Sequence, residues 1–476
     1  MQESTHSLSP LSSPIPALVP SNEAGHHFIC YADCCSGIPG APNEATFAAV
    51  NRVVSRLRPQ PDFICFLGDE IKGLTADDER LRGQWRYWFD EEMAWLDRDA
   101  IPLYHTTGNH TTYDRASEAV FRDVLTHLPR NGPSAQEGLS YVVRRDDLLL
   151  VFVNTAWSGL GGDGRVERAW LDQTLANHAD ARYKLVLGHH PVYPINGFSG
   201  PYQRHIEPMN GQAFWQVLVR HNVLAYLCSH IMAFDVQVYE GVLQIMTAGA
   251  GNMPLMPENI EYLHAVQAAL DADGLRYQVL DTAGQIREWL KWPLRLPPST
   301  RWTAMTTKEI RAPLFDDEKH GERNDLTAAR LVVWKFEGIS SPLDDGEAQT
   351  LLCAWSSGPS LAPLWIGLRG PEHGICLLLS AAAGRSPHVW LGPTLEPNKP
   401  FSIQIAIHTG MGPGGFLWRW NDESPWSSLS GATAWGAERL SWPTYWRIGH
   451  DQRGPDSRPF RGRELNAMWY TQTMSL

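Results

Sequence analysis

From residue 28 to about residue 292 short apolar runs bounded by turn residues alternate with longer amphipathic stretches. The runs 27–31, 63–67, 148–154 and 184–187 are too short for helices and show no polar alternation, which is the pattern of strands buried on both faces. Residues 43–57, 81–96, 168–178 and 211–221 instead place apolar side chains at helical spacing. Strands alternating with helices predict an α/β layered domain.

Chemistry-bearing side chains cluster where the apolar runs end. Asp33 stands in YADCC, Asp69 in FLGDE, Asn109 and His110 in TTGNH, His189 and His190 in LVLGHHPVY, and His230 in YLCSHIM. Gly precedes Asp69, Asn109 and His189, and a glycine lets the backbone turn sharply so that the next side chain points into a shared cleft. Strand-end loops are where α/β domains bind ligands. Neutral imidazole suits Zn, Fe, Mn or Ni, and carboxylates suit the harder of these ions. Taken singly, each motif is an ordinary turn, and a lone histidine after a strand is more often structural than a ligand.

Taken in order, Asp, Gly-Asp, Gly-Asn-His, Gly-His and His, each after a strand, resemble the calcineurin-like metallophosphoesterases over roughly residues 28–293. LVLGHHPVY and AYLCSH followed by TAGAGN look like the purple acid phosphatase branch. The resemblance implies a sandwich of two mixed β-sheets flanked by helices around a dinuclear metal site. In that arrangement Asp69 bridges two ions, and Asn109, His189 and His230 complete the shell of one of them. It also implies that His110, acting with Asp33 as a catalytic residue, steadies the phosphoryl oxygens or protonates the leaving alcohol and is not itself a ligand. That role is open to imidazole near neutral pH. The implied reaction is hydrolysis of a phosphate mono- or diester by in-line attack of metal-activated water.

Two positions depart from the family pattern. Where it has Asp-x-His this chain has Asp33-Cys34-Cys35, and where it has Gly-His-x-His the chain has Ser229-His230-Ile231-Met232. The purple acid phosphatase tyrosine is also absent, because Asp69 is followed by Glu70, Ile71 and Lys72. Three readings stand open. A Cys35 thiolate with Asp33 and Asp69, Met232 nearby, holds a soft or borderline ion such as Zn or Fe(II). Alternatively one ion acts alone at Asp69, Asn109, His189 and His230. In the third, Cys35 and Met232 pack as hydrophobes and the domain binds rather than cleaves. One or two divalent ions, Fe, Zn or Mn, are therefore expected, with Glu70, Thr111 and Asp235 close enough in sequence to enter a rearranged shell. Thr111 also stands where the family has a carboxylate, so the group that orients His110 is expected to be missing. The competing functions are a lectin-like binding protein on a lapsed phosphoesterase scaffold, and a thiolate-supported iron centre with different chemistry.

Residues 1–25 are rich in Ser and Pro, lack Lys and Arg, and read as a disordered leader. The seven cysteines are an odd number with three inside six residues, which argues against a disulfide framework and for a cytoplasmic setting. A net charge of −12 without any basic block excludes nucleic acid as a natural partner, and no apolar run reaches the roughly 18–20 residues a membrane helix needs. The expected partner is a small-molecule phosphate ester.

Beyond residue 293 the character changes. Residues 294–328, with a Pro-rich run at 293–298 and a charged stretch at 316–325, read as a linker after a domain spanning 26–293. Residues 329–476 switch to period-two alternation, clearest in 401–408 (FSIQIAIH), which predicts an all-β sandwich. The stretches 409–415, 430–437, 445–449 and 458–462 resemble the concanavalin A-like or laminin-G-like jelly roll. Such domains often bind carbohydrate through exposed aromatics, with Trp426 and Trp442 as candidates; a packing or dimerising module is the alternative. Eleven of the twenty tryptophans lie beyond residue 331, and most are expected in the core.

Overall fold

The computed structural model describes residues 14–475 except 23, 157–163, 199–203, 252–260, 306–309, 312–327, 356–363, 380–386, 432–444 and 454–455. The chain separates into two compact units that meet in sequence at Pro293–Leu294. The segments Ile195–Ser199 and Gln237–Gly241 are grouped with the second unit. No helix among the described residues is long and apolar enough to cross a membrane.

The strands described up to Pro293 are β1 (Ile15–Pro16), β2 (His26–Tyr31), β3 (Leu57–Arg58), β4 (Phe63–Phe66), β5 (Leu103–His105), β6 (Tyr141–Arg145), β7 (Leu148–Phe152), β8 (Tyr183–Leu187), β9 (Ala225–Cys228), β10 (Phe234–Tyr239), β11 (Val242–Thr247), β12 (His264–Asp271), β13 (Gly274–Asp281) and β14 (Ile286–Trp292). One six-stranded sheet has the order β14-β13-β12-β2-β4-β5, the other β10-β11-β9-β8-β7-β6. Both are mixed. In the first, β2, β4 and β5 run parallel and β12 joins β2 antiparallel. In the second, β7, β8, β9 and β11 run parallel and β6 pairs antiparallel with β7.

The parallel strands are buried at every position except Tyr104 of β5, for example FICF in β4 and YKLVL in β8, where Lys184 is the one charged side chain. Side chains join the two sheets. The Tyr141 hydroxyl donates to His105 O at 2.7 Å, and the ring of Tyr104 lies 5.8 Å from that of Phe152.

Helices α1 (Pro42–Val54), α2 (Asp78–Tyr87), α3 (Arg115–Val124), α4 (Arg168–Asn177) and α5 (Pro208–Arg220) connect the strands. Proline in the first turn of α1 and α5 costs no hydrogen bond there, because that turn has no intrahelical acceptor for its N–H groups. Asp77 caps α2 by accepting from Arg80 N at 3.1 Å. The periodicity over 81–96 predicts one helix. Instead α2 gives way to a π-helical turn, Trp88–Glu92, which swings Trp88 and Glu92 toward the loop after β2. Helix α3 follows the Asn109 loop and is held by a reciprocal cap between Asp114 and Ser117.

Composition places residues 14–22 in a disordered leader, and the structure corrects this. Ile15–Pro16 pairs in parallel with Leu57–Arg58, and Leu18 is buried. The Gln267 side chain accepts from Leu18 N and donates to Leu18 O, both at 2.9 Å, so this segment finds its polar partners on β12. Residues 1–13 lie outside the described residues.

The second unit is all β. Its strands are β15 (Thr303–Met305), β16 (Ile310–Arg311), β17 (Ala328–Ile339), β18 (Ala348–Trp355), β19 (Leu364–Arg369), β20 (Gly374–Leu379), β21 (His388–Thr394), β22 (Pro400–His408), β23 (Phe416–Arg419), β24 (Ser427–Ser428), β25 (Ser430–Gly431), β26 (Tyr445–Ile448) and β27 (Arg463–Ser475). They form a six-stranded sheet, β15-β27-β17-β22-β23-β24, and a seven-stranded one, β16-β26-β18-β19-β20-β21-β25.

One core joins the two sheets, with Trp334, Ile403, Ile405 and Ile407 from the first and Leu352, Ile366, Leu377 and Trp390 from the second. Alternation explains β22. Its isoleucines face that core, each worth roughly 1.5–3 kcal/mol when fully buried, while Gln404 between them bonds Arg419 and Asp422. The expected linker also contributes, since β15 and β16 pair with β27 and β26. Trp426 is 3% exposed, donates to Leu294 O at 3.0 Å and stacks under Arg419, so it offers no face to a sugar. Trp442 lies outside the described residues.

Replacing Gln267 by Ala strands the Leu18 amide and carbonyl and removes the acceptor of Gln278. The expected cost is about 1–3 kcal/mol in urea unfolding, with faster proteolytic cleavage around residues 14–22. An unchanged midpoint and cleavage pattern would show that the segment is not docked.

Candidate metal centre

Every candidate ligand sits in a loop leaving the C-terminal end of a parallel strand: β2, β4 and β5 of one sheet, β8 and β9 of the other. The loops are laced together beyond the sheets. Asp33 N donates to Gly68 O at 3.2 Å, Cys35 N to Asp69 O at 2.8 Å, and Ser229 N to His189 O at 2.8 Å. Leu67 O ties one sheet to the other by accepting from His189 Nδ1 at 2.8 Å and Ser229 Oγ at 2.7 Å.

The glycines are sterically required. A Cβ on Gly108 would lie 2.2 Å from Asp69 Oδ1, and one on Gly68 would lie 2.7 Å from His189 Nδ1. Asp33, Cys35, Asp69 and His230 all adopt left-handed backbone, with φ of 63°, 45°, 58° and 73°. Such conformations cost on the order of 1–3 kcal/mol each for side chains of this kind and persist where surrounding contacts impose them.

One cluster centres on His189. Its Nδ1 faces a carbonyl, which only accepts, so Nδ1 carries a proton and Nε2 is the atom turned to the site. Around Nε2 lie Asp69 Oδ2 at 3.2 Å, Asn109 Oδ1 at 3.1 Å and His230 Nδ1 at 3.1 Å. Donor atoms bound at about 2.1 Å to a shared ion stand about 3.0–3.4 Å from one another, so these spacings match a common coordination shell. Asp33 supports the cluster from beneath: its Oδ2 accepts from His230 N at 3.1 Å, while its buried Oδ1 finds no hydrogen-bond partner among the described residues.

A second cluster shares Asp69. Cys35 Sγ, a carboxylate oxygen of Asp69 and a ring nitrogen of His110 lie within 4.8 Å of one another. The resemblance keeps His110 out of any ligand shell; the structure places one of its ring nitrogens within 4.8 Å of Cys35 Sγ and a carboxylate oxygen of Asp69. Its orientation does not depend on the missing carboxylate either, because His110 Nδ1 donates to Lys72 O at 2.7 Å. Thr111 is occupied within its own turn, accepting from Gly108 N at 3.0 Å. Met232 is half-buried two residues beyond His230.

The neighbouring cysteine has a separate job. Cys34 Sγ donates to Glu70 O at 2.9 Å and accepts from Trp88 Nε1 at 3.4 Å, so its thiol is spent on the loop. Glu70, a candidate for a rearranged shell, turns into the core instead and bonds His105 Nδ1 at 2.7 Å, both side chains fully buried. His190 is likewise buried, with Nδ1 2.8 Å from Thr155 Oγ1 and its ring 4.3 Å from that of His230. Sequence reasoning missed the Glu70–His105 pair and the Lys72 carbonyl. The first has a faint signal in the consecutive acids of FLGDE, and the second has none in side-chain identity.

Electrostatics favour a cation here. Burial alone would push the His189 imidazolium down, but Asp69 and Asp33 overcome it and hold its pKa up at about 10. Burial likewise opposes ionisation of Asp69, yet His189 and His110 keep its carboxyl well below the usual range. Burial, aided by Asp69, raises Asp33 to about 7, and burial with the neighbouring His189 drives His230 down to about 3. Burial and then Asp69 push the Cys35 thiol up. A thiol so placed ionises when a cation takes its lone pair. The donor set, the orphaned Asp33 oxygen and the spacing around His189 Nε2 together fit a bound metal ion.

Residues 26–234 match the calcineurin-like phosphoesterase family. Tartrate-resistant acid phosphatase type 5 of Oryctolagus cuniculus is 25% identical over 243 residues, covering 45% of this chain and 70% of that protein. Among solved structures, purple acid phosphatase PPD1 from yellow lupin (Lupinus luteus) seeds aligns with a TM-score of 0.40 at 14% identity over 57% of this chain and 54% of its own. A dimetal phosphatase from Danio rerio aligns with a TM-score of 0.40 at 17% identity over 54% and 95%. The described strands of the second unit identify no family. With two mixed sheets, the candidate ligands in loops at the ends of their parallel strands and the family match over residues 26–234, the first unit contains a calcineurin-like metallophosphoesterase domain.

Proposed function

We propose that this domain hydrolyses a phosphate mono- or diester using a divalent cation, Fe, Zn or Mn, held by Asp69, Asn109, His189 and His230. The observation that carries the reading is the convergence of Asp69 Oδ2, Asn109 Oδ1 and His230 Nδ1 on His189 Nε2 within 3.2 Å. A single N–H cannot satisfy three such neighbours, whereas a cation can. The family match and the acid phosphatase relative supply the substrate class.

A divalent cation bound there lowers the pKa of water and polarises a phosphoryl oxygen. The protein's part is positioning. Leu67 O fixes the His189 ring, the His110 amide fixes Asp69 Oδ1 at 2.8 Å, and the Lys72 carbonyl fixes the His110 ring. His110 is half-exposed at the mouth of the cluster, with Nε2 free of the Lys72 bond to hold or move a proton at a phosphoryl oxygen or leaving group. Asp33, buried beneath, restrains the His230 loop.

The full chain, purified and assayed with Mn, Zn or Fe on a generic phosphate monoester and diester, is expected to turn over at least one of them. His189→Ala should lower kcat/KM at least about 100-fold, together with loss of bound metal. Full metal occupancy with no turnover of either ester would count against hydrolysis and favour a binding role.

Proton linkage gives an independent check. With its pKa held at about 10, His189 keeps its Nε2 proton at pH 7, whereas His230 and Asp69 are already deprotonated. Cation binding must displace that proton, so apparent affinity is expected to rise about tenfold per pH unit from pH 7 toward 10. Calorimetry at pH 7.5 in buffers of different ionisation enthalpy should show about one proton released per ion. A pH-independent affinity with no release would mean that the ion binds elsewhere.

A further inference from the structure

We infer that Leu74 and Tyr113 form an apolar lip beside His110 that binds an aromatic ring on the organic group of the phosphate ester, one or a few bonds beyond the ester oxygen. This rests on the reading that the His189 cluster holds the phosphoryl group through a cation and that His110 faces the leaving alcohol. Among the described residues, the large apolar side chains open to solvent include Leu74, 45% exposed, and Tyr113, 63% exposed. They stand on the loops after β4 and β5, which also carry Asp69, Asn109 and His110.

Turn geometry sets Tyr113 on the His110 side. Thr112 N donates to Gly108 O at 2.9 Å, four residues back, which closes one helical turn. Residues three apart on such a turn share a face, with Cβ atoms about 5–6 Å apart, and Tyr113 follows His110 by three. Thr111 and Thr112 turn the other way: each is 1% exposed, and their hydroxyls bond Gly108 O at 3.2 and 2.8 Å. His110 and Tyr113 are therefore the outward pair of this loop. The loop after β4 is pressed against it, since Leu74 N donates to His110 O at 3.1 Å and a Cβ on Gly73 would lie 1.7 Å from the same oxygen.

Leu74 also holds a left-handed backbone, φ 51°, which bulky side chains rarely adopt and glycine adopts freely. The turn would be served by glycine, so the leucine is retained at a local cost and adds apolar surface at the mouth of the centre. With the phosphoryl group at the cation and the ester oxygen at His110, the organic group leaves the centre past the His110 ring. A ring carried close to the ester oxygen then meets the Tyr113 ring and the Leu74 methyl groups. Aromatic pairs gain beyond the apolar area they cover, whereas a polyol would cover the same side chains without that gain.

Calorimetry on the metal-loaded full-length protein with phenethylphosphonate and propylphosphonate reads this contact without turnover, because a phosphonate has no ester bond to cleave. Phenethylphosphonate is expected to bind at least about tenfold tighter. Tyr113→Ala and Leu74→Gly should each cut that ratio at least about threefold, whereas Tyr113→Phe, which keeps the ring, should hold it. Leu74→Gly puts glycine at a left-handed position, so its melting temperature should not fall. In kinetics, benzyl phosphate should be preferred over ethyl phosphate chiefly through KM rather than kcat, as a contact made equally in ground and transition states requires.

A phosphonate ratio near unity in the wild-type protein, or one untouched when Tyr113→Ala and Leu74→Gly are combined, would overturn the inference while leaving the metal centre standing. A ratio that stands while neither ester turns over would support the lip and count against hydrolysis alone. No binding of either phosphonate by the metal-loaded protein would remove both readings. The wild-type ratio can overturn the inference even if a variant fails to fold.

Discussion

The Asp69 carboxylate is the constraint on which the rest of the site depends. One oxygen faces His189 and the other takes the His110 amide, so the strand-end loops of both sheets are referred to a single side chain. The carboxylate can stand there only because its neighbours are small or pinned. Gly108 leaves no Cβ to strike Oδ1, and Gly68 turns the chain at a φ of 94° beneath His189. The cost is concentrated locally, in four non-glycine residues with left-handed backbone. It is borne by two six-stranded sheets whose parallel strands are buried at every position except Tyr104.

The loop after β2 shows how such strain is held. Glu92, brought round by the π-helical turn, accepts from Gly37 N at 3.0 Å and from the Ser36 hydroxyl. Asn43, at the start of α1, donates to the Cys34 and Cys35 carbonyls at 2.9 and 3.2 Å. A regular α-helical continuation past Tyr87 would carry Glu92 elsewhere, which gives the π-turn a physical purpose. The helix departs from its simplest form so that the Cys34–Cys35 loop can keep its own unusual form.

Much of this was readable from the chain. Unbroken apolar runs mark strands buried on both faces, and a glycine before Asp69, Asn109 or His189 marks a turn that aims the next side chain. Singly such turns are ordinary, and it was the order of the motifs, with the family resemblance it carries, that implied the meeting of these side chains with His230. Helix α3 was missed although its signal was present: Asp114 and Ser117 form a cap before Ala119, Val120, Phe121 and Val124 at helical spacing. The docking of residues 14–22 was hidden because it depends on Gln267, a residue about 250 positions away that supplies both hydrogen bonds. Similarly, Glu70 looked available to a metal because it follows Asp69. Its actual partner, His105, lies on a neighbouring strand of the same sheet and draws it into the core.

The Asp33-Cys34-Cys35 substitution is the case where sequence alone could not decide. Two adjacent thiols occur there; the family's Asp-x-His spacing sets Cys35 at the ligand position, but whether either thiol faces the site is not written in the sequence. Geometry separates them: burial against the Trp88 indole and the Glu70 carbonyl makes Cys34 part of the wall, while Cys35 stands with Asp69 and His110. The same reasoning applies to His110, whose ring orientation is held by a backbone carbonyl at Lys72 that no side-chain motif encodes. A neutral imidazole held by a carbonyl keeps its lone pair free, whereas one paired with a carboxylate is biased toward the protonated form. The carboxylate the family places beside this histidine is replaced by Thr111, and the histidine lies beside a thiol.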